Sequence, residues 1–217
     1  MDLNHSVKLV FDRIKNAKKR SSYNQDVELI AATKTRDVFQ IQACYTLGIL
    51  CIGENRVQEA EKKFLNLKSG FQDLELHLTG PLQTNKVKNA IKIFDLFQTL
   101  DREKLAKEFS KHAESIKNKV FFIQVNIGKE TNKSGILPEE ADDFIKYCKQ
   151  DLKLNVTGLM CIPPINTNPT FYFKNLYNIA KGNNLIHLSM GMSGDYIDGL
   201  KCGASYIRVG TLLFGNR

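Results

Sequence analysis

Eight short β-forming runs alternate along this chain with helical patterns, and that alternation narrows the fold more than any other feature. The runs are 27–33 (VELIAAT), 49–53 (ILCIG), 75–80 (ELHLTG), 96–100 (LFQTL), 120–126 (VFFIQVN), 155–162 (NVTGLMCI), 186–190 (IHLSM) and 206–213 (YIRVGTLL). Helical patterns fill the gaps at 37–47, 55–68, 84–94, 102–117, 138–150, 170–181 and 194–202. Asp37 in the opening turn of the first and Gly48 just past its end are start and stop signals. Pro138 opens another at a favoured first-turn position. Eight strands on short connections predict a (β/α)8 barrel, and they fit closure better than an open doubly wound sheet. An extra N-terminal helix is expected, with Val7, Val10, Phe11, Ile14 and Ala17 on one packed face. No linker, repeat or low-complexity tract divides the chain, so 1–217 is expected to be one domain. The proline-rich stretch PPINTNPTF (163–171) reads as a strand-to-helix loop.

Several function classes are disfavoured. No apolar run approaches the roughly 18 residues of a membrane span. The N-terminus lacks the apolar centre of a secretory signal, and Asp2 and Asp12 argue against a transit peptide, so a cytoplasmic protein without a membrane partner is expected. Cys44, Cys51, Cys148, Cys161 and Cys202 are odd in number and form no C-x-x-C pair. The four histidines have no ligand spacing, so reduced thiols and no metal are expected. The net charge of +8 could signal nucleic acid, but the lysines are spread over helical segments and no arginine-rich or aromatic-basic motif appears. Clusters such as NAKKRSS and KVKNAIK read as solvated helix faces, and an anionic small molecule would also suit the charge.

In a barrel of this kind the site lies at the C-terminal ends of the strands. Lys34 follows the apolar run Leu29–Ala32, on the face of Ile30 and Ala32 by alternation. It is either a strand end reaching water or an amine placed to form a Schiff base. In LSMGMSGDYIDGL (188–200), Gly191, Ser193 and Gly194 form either a phosphate cradle or an ordinary serine-capped helix start. Arg208 lies inside a β-forming run on the face of Gly210, as a structural salt bridge or as a donor to a ligand, with Gly210 and Thr211 offering further donors. Glu54, Asn55, Gln83 and Asn85 could be helix caps and nothing more.

Seven segments in order, AATKT, GENRVQEA, HLTGPLQTNK, ETNKSG, GLMCIP, LSMGMSGD and IRVGTLLFG, resemble the signature segments of the pyridoxal phosphate homeostasis protein family, from about residue 28 to 217. The resemblance implies a barrel similar to the N-terminal domain of alanine racemase. It implies a Schiff base between Lys34 and pyridoxal 5′-phosphate, phosphate contacts at Ser193, Gly210 and Thr211, and Arg208 near the pyridine nitrogen. Asn55 and Met160 match positions that line the family's pocket. Two departures concern the pocket rim: Leu78-Thr79-Gly80 stands where the family commonly has aromatic-Ile-Gly, and Pro81 where a polar or basic residue is common.

The function implied is to hold and release pyridoxal phosphate for cofactor homeostasis, with PLP-dependent apo-enzymes as partners. An arginine at the pyridine nitrogen makes the ring a weak electron sink, and the related racemases add a tyrosine from a second domain. Binding without efficient turnover, no catalytic residue of its own and a monomeric state are therefore expected. A weak racemase-like enzyme acting on amino acids is the alternative. An aldolase-like barrel acting on a sugar phosphate and a basic nucleic-acid-binding protein stand behind it.

Overall fold

The structure, a computed structural model, describes residues 2–20, 23, 25–64, 70–71 and 73–215. Among them eight parallel strands close a barrel: β1 (Glu28–Ala32), β2 (Cys51–Glu54), β3 (Glu75–Leu78), β4 (Leu96–Leu100), β5 (Val120–Val125), β6 (Val156–Cys161), β7 (His187–Met192) and β8 (Tyr206–Val209). Each pairs with the next, and β8 returns to β1 with Ile30 opposite Arg208. The helices are α1 (Leu3–Arg20), α2 (Val38–Thr46), α3 (Val57–Phe64), α4 (Val87–Ile93), α5 (Glu103–Ser110), α6 (Ala141–Lys146), α7 (Pro169–Gly182), α8 (Tyr196–Lys201) and α9 (Thr211–Phe214).

The expected alternation holds, with some differences in how the elements are realised. The run 206–213 is not one strand. Backbone leaves the extended region at Gly210, and the N–H groups of Leu213 and Phe214 donate back to the Gly210 carbonyl, winding 211–214 into α9. Helix 138–150 is realised as a 3-10 turn at 138–140, then α6, then a π-turn at 147–151. Helix 55–68 is described only as Val57–Phe64; residues 65–68 lie outside the described set. On α1, Val7, Val10 and Ile14 are buried but Phe11 is 36% exposed, because it sits about 100° round the helix from Val10.

Strand alternation sorts side chains into two cores. Outward residues such as Leu29, Ala31, Ile52, Leu76, Phe97, Phe121, Ile123 and Ile207 pack beneath the helices in one large apolar layer. There Phe97 stacks on Phe121 at 5.4 Å between centroids, and Phe109 meets both edge-on. The lumen holds a smaller apolar plug of Leu96, Phe122 and Met160. Its remaining buried occupants include polar His77, Gln98, Ser189 and Arg208. Among the described residues no helix is long and apolar enough to cross a membrane.

Candidate ligand-binding site

Lys34 lies two residues past the end of β1, in the turn before α2, rather than on the strand itself, and is exposed. Its backbone is clamped on both sides. Thr33, wholly buried, donates from Oγ1 to Glu54 Oε1 at 2.7 Å and from its N–H to the Gly53 carbonyl at 3.0 Å. Lys63 of α3 donates to the Thr33 carbonyl (2.8 Å), Glu54 Oε1 (2.7 Å) and Glu59 Oε1 (2.7 Å). On the other side Thr35, at φ 64°, donates its N–H to Glu59. A β-branched residue in the left-handed region is strained, and the Glu59 bond holds it there. Lys34 itself enters no ion pair among the described residues.

Glu54 is thus no pocket residue and no helix cap. It sits on the outward face of β2, fully buried under α3, where burial pushes its carboxyl above the ordinary range while bonds from Lys63 and Thr33 pull it back. Sequence reasoning missed Lys63 and Glu59. Their i,i+4 spacing was visible, but an ordinary helical ion pair looks the same.

The turns after β7 and β8 form a polar rim. Gly191 has φ +93° and a Cβ there would lie 2.8 Å from Tyr196 Cα, so only glycine lets β7 turn into α8. That turn carries Ser193, whose Oγ accepts from the N–H of Gly210 at 3.3 Å and of Leu212 at 3.4 Å. Both are longer than the usual 2.9–3.0 Å, so these donors are loosely engaged. Thr211 is exposed beside them, and Gly210 abuts Ala32 across the β1–β8 pair.

Arg208 lies two residues below Gly210 on the inward face of β8, 6% exposed. Nη1 donates to Ser189 Oγ at 2.6 Å and Nη2 to the Cys161 carbonyl at 2.8 Å. Among the described residues no carboxylate pairs with it, so the salt-bridge alternative fails. Burial draws its guanidinium below the ordinary value. Ser189 and the Cys161 carbonyl were not anticipated; the available signal for Ser189 was a polar residue at an inward-facing strand position.

The other candidates are dispersed around this centre. Asn55, just past β2, accepts from Thr79 Oγ1 at 3.0 Å. The Gly80 backbone packs so tightly on Asn55 that a Cβ would come within 2.3 Å of its carbonyl oxygen. Asn55 opens onto a cleft of about 590 Å³ with Arg56, Pro81, Gln83, Lys86 and Arg102 on its walls. Met160 is fully buried in the lumen plug, opposite Ser189 in register. Asn126 is spent on its own loop, donating to the Glu130 carbonyl at 2.8 Å and accepting from the Glu130 N–H at 3.1 Å. A cleft of similar size around Tyr23, Tyr177 and His187 lies at the opposite, N-terminal end, so size alone does not mark the site. At that end closure also gathers Cys51, Glu75 and His77 from β2 and β3, with ligand atoms within 4.8 Å of one another, a grouping no sequence spacing reveals.

The arrangement offers an exposed amine on a held backbone, loosely engaged backbone donors and a buried cation around one barrel mouth. Comparisons with known proteins agree. The model of the alanine racemase N-terminal domain matches residues 9–217. The pyridoxal phosphate homeostasis protein of Aquifex aeolicus is 40% identical over 96% of this chain and 95% of its own length. That of Haemophilus influenzae is 35% identical over 100% and 97%. Among solved structures, PipY of Synechococcus elongatus with PLP bound superposes with a TM-score of 0.78, at 31% identity over 94% of this chain and 99% of that one. Alanine racemase of Clostridium difficile superposes at 0.74 with 14% identity, covering 98% of this chain and 57% of that one, a likeness of fold alone. A barrel closed β1 to β8 and near-full-length identity of 40% and 35% to such relatives lead to one assignment: the chain belongs to the pyridoxal phosphate homeostasis protein family.

Proposed function

We propose that this protein binds pyridoxal 5′-phosphate and serves its intracellular homeostasis, holding and releasing the cofactor without efficient turnover. The observation that carries the reading is Arg208, a cation sealed in the barrel with no carboxylate partner among the described residues, below a rim of loosely engaged N–H donors. The residues present fit the group. Ser193, Gly210 and Thr211 would take its phosphate, whose oxygens are stronger acceptors than the serine hydroxyl now facing Gly210 and Leu212. Small Ala32 and Gly210 leave room for a flat ring above Arg208. Asn55 and Met160 would bound it from β2 and β6.

When bound, the group supplies an aldehyde that condenses with a primary amine and a ring that can draw electrons from the adduct. Lys34 provides that amine on a backbone held by Thr33, Lys63 and Glu59. Arg208 can only donate, so it keeps the ring nitrogen unprotonated and the ring a weak electron sink. This chemistry supports storage over catalysis. The names of the relatives and the PLP bound in PipY support the same reading. The reading includes a single domain spanning 1–217, acting as a monomer in the cytoplasm and passing the cofactor to PLP-dependent apo-enzymes.

The test is the visible absorption spectrum with added pyridoxal phosphate, before and after borohydride. Wild type is expected to develop a new band that borohydride fixes onto Lys34, and Lys34→Ala to lose it, with no amino-acid turnover in either. No band in wild type at saturating cofactor overturns the proposal.

A further inference from the structure

Arg208 is one end of a continuous line of buried side chains that runs down the lumen. Its Nη1 donates to Ser189 Oγ at 2.6 Å. Ser189 Oγ donates to Gln98 Oε1 at 2.6 Å. Gln98 Nε2 lies 3.0 Å from His77 Nδ1, and His77 Nε2 lies 3.2 Å from Glu75 Oε2. Ser189, Gln98 and His77 are each 0% exposed, whereas the Glu75 side chain is 57% exposed at the N-terminal mouth. The line therefore joins the floor of the ligand site to solvent at the opposite end of the barrel.

Its direction is fixed by chemistry. A guanidinium has donors only. Ser189 must therefore accept from Arg208, and its single proton goes to the Gln98 oxygen. That orients the amide so that its NH2 faces His77, whose Nδ1 must accept. The remaining proton of a neutral imidazole then sits on Nε2 and points at the Glu75 carboxylate. Turning the Gln98 amide over would leave the buried Ser189 proton without an acceptor, at a cost of about 1–3 kcal/mol. The same logic argues against a metal among Cys51, Glu75 and His77, because the metal would need the nitrogen that this line protonates.

We infer that Ser189, Gln98, His77 and Glu75 are positioning residues: a one-way hydrogen-bond line, anchored on the Glu75 carboxylate, that aims Arg208 at the ligand. The inference rests on the proposed ligand for what Arg208 faces. The line itself rests on geometry alone. Consistent with it, the His77 hydrogen bond holds the Glu75 carboxyl below its ordinary range.

Two measurements test it. In ¹⁵N spectra of the ligand-free protein, the resonance lost in His77→Asn identifies His77. It is expected to be neutral, with the proton on Nε2; a proton on Nδ1, or on both nitrogens near neutral pH, overturns the line whatever the ligand proves to be. The second measurement uses the visible band of the pyridoxal phosphate complex. Ser189→Ala and His77→Phe are expected to move the band and weaken binding about tenfold, the loss typical of one charge-assisted bond. His77→Asn, whose Oδ1 can still accept from Gln98, is expected to restore most of both. Phe122→Leu, a lumen neighbour outside the line, is expected to lower stability without moving the band. If Phe122→Leu moves the band as far as Ser189→Ala, or if the line variants leave it unmoved, the positioning role is overturned. Failure of wild type to bind pyridoxal phosphate overturns the ligand, and the histidine spectrum then decides the line by itself.

Discussion

Lys63 shows how much of a site can depend on a residue that never faces the ligand. Its amine joins the Thr33 carbonyl, Glu54 and Glu59 in one hub, at 11% exposure beside a carboxylate of 0%. Removing it leaves Glu54 buried and unpaired, a change worth about 3–5 kcal/mol when the charge is retained. Glu54 already has a raised pKa in the folded state. The folded protein can then bind a proton that the unfolded chain has released, so stability falls as pH rises above the ordinary carboxylate value. Lys63→Met is therefore expected to destabilise by about 3 kcal/mol at pH 8 and by less at pH 5, with Lys63→Met/Glu54→Gln flattening that dependence, as read by urea unfolding at both values. The sequence made Lys34, Ser193, Arg208, Gly210 and Thr211 candidates because their residue types stand out at strand ends. It left Glu54 misread, because cap and buried anchor look alike until the parity of β2 is known. Ser189, Gln98 and His77 went unread because partners on β3, β4, β7 and β8 meet only once the barrel closes.

At the level of elements, short β-forming runs located every strand, and the differences fall at one strand end and within helices. The run 206–213 reads as one strand with Gly210 inside it, yet β8 stops at Val209, its last residue paired with β1. Beyond that ladder local turns win, and TLLF becomes α9. The turn from β7 to α8 is the element boundary on which the rim depends. Gly191→Ala would force a side chain into the left-handed region and toward Tyr196 Cα. A loss of about 2 kcal/mol is expected, visible as a lower urea midpoint. Displacement of Ser193 should also weaken phosphate capture, measured as inorganic phosphate competing less well for the pyridoxal phosphate site. A change at Gly182 near the end of α7, where a Cβ meets nothing within 4 Å, should do neither.

Over the whole molecule, the positive charge is spread thinly. Exposed pairs such as Lys107–Glu103, Lys111–Glu108, Lys117–Glu114 and Lys129–Glu139 lie on helices, turns and loops at the surface, where solvent screening leaves such pairs little weight. The thiols are the reverse case: Cys44, Cys51, Cys148, Cys161 and Cys202 are all free and all buried. Burial pushes Cys44, Cys148 and Cys161 up to about 12 and raises the other two. The native protein should thus react slowly with a disulfide reagent at pH 8, and all five thiols should appear on denaturation; rapid labelling of any one in the folded state would contradict this packing. The odd cysteine count predicted reduced thiols but not their depth, which depends on two concentric cores rather than on spacing. The clamp around Lys34 has one more consequence. With Thr33 tied to β2 and α3 and Thr35 to α3, the lysine stands on a post rather than a hinge. On the reading proposed above, an aldehyde held there would leave when a competing amine arrives from solvent, so the tempo of unloading would follow the chemistry of that encounter rather than the swing of a gate.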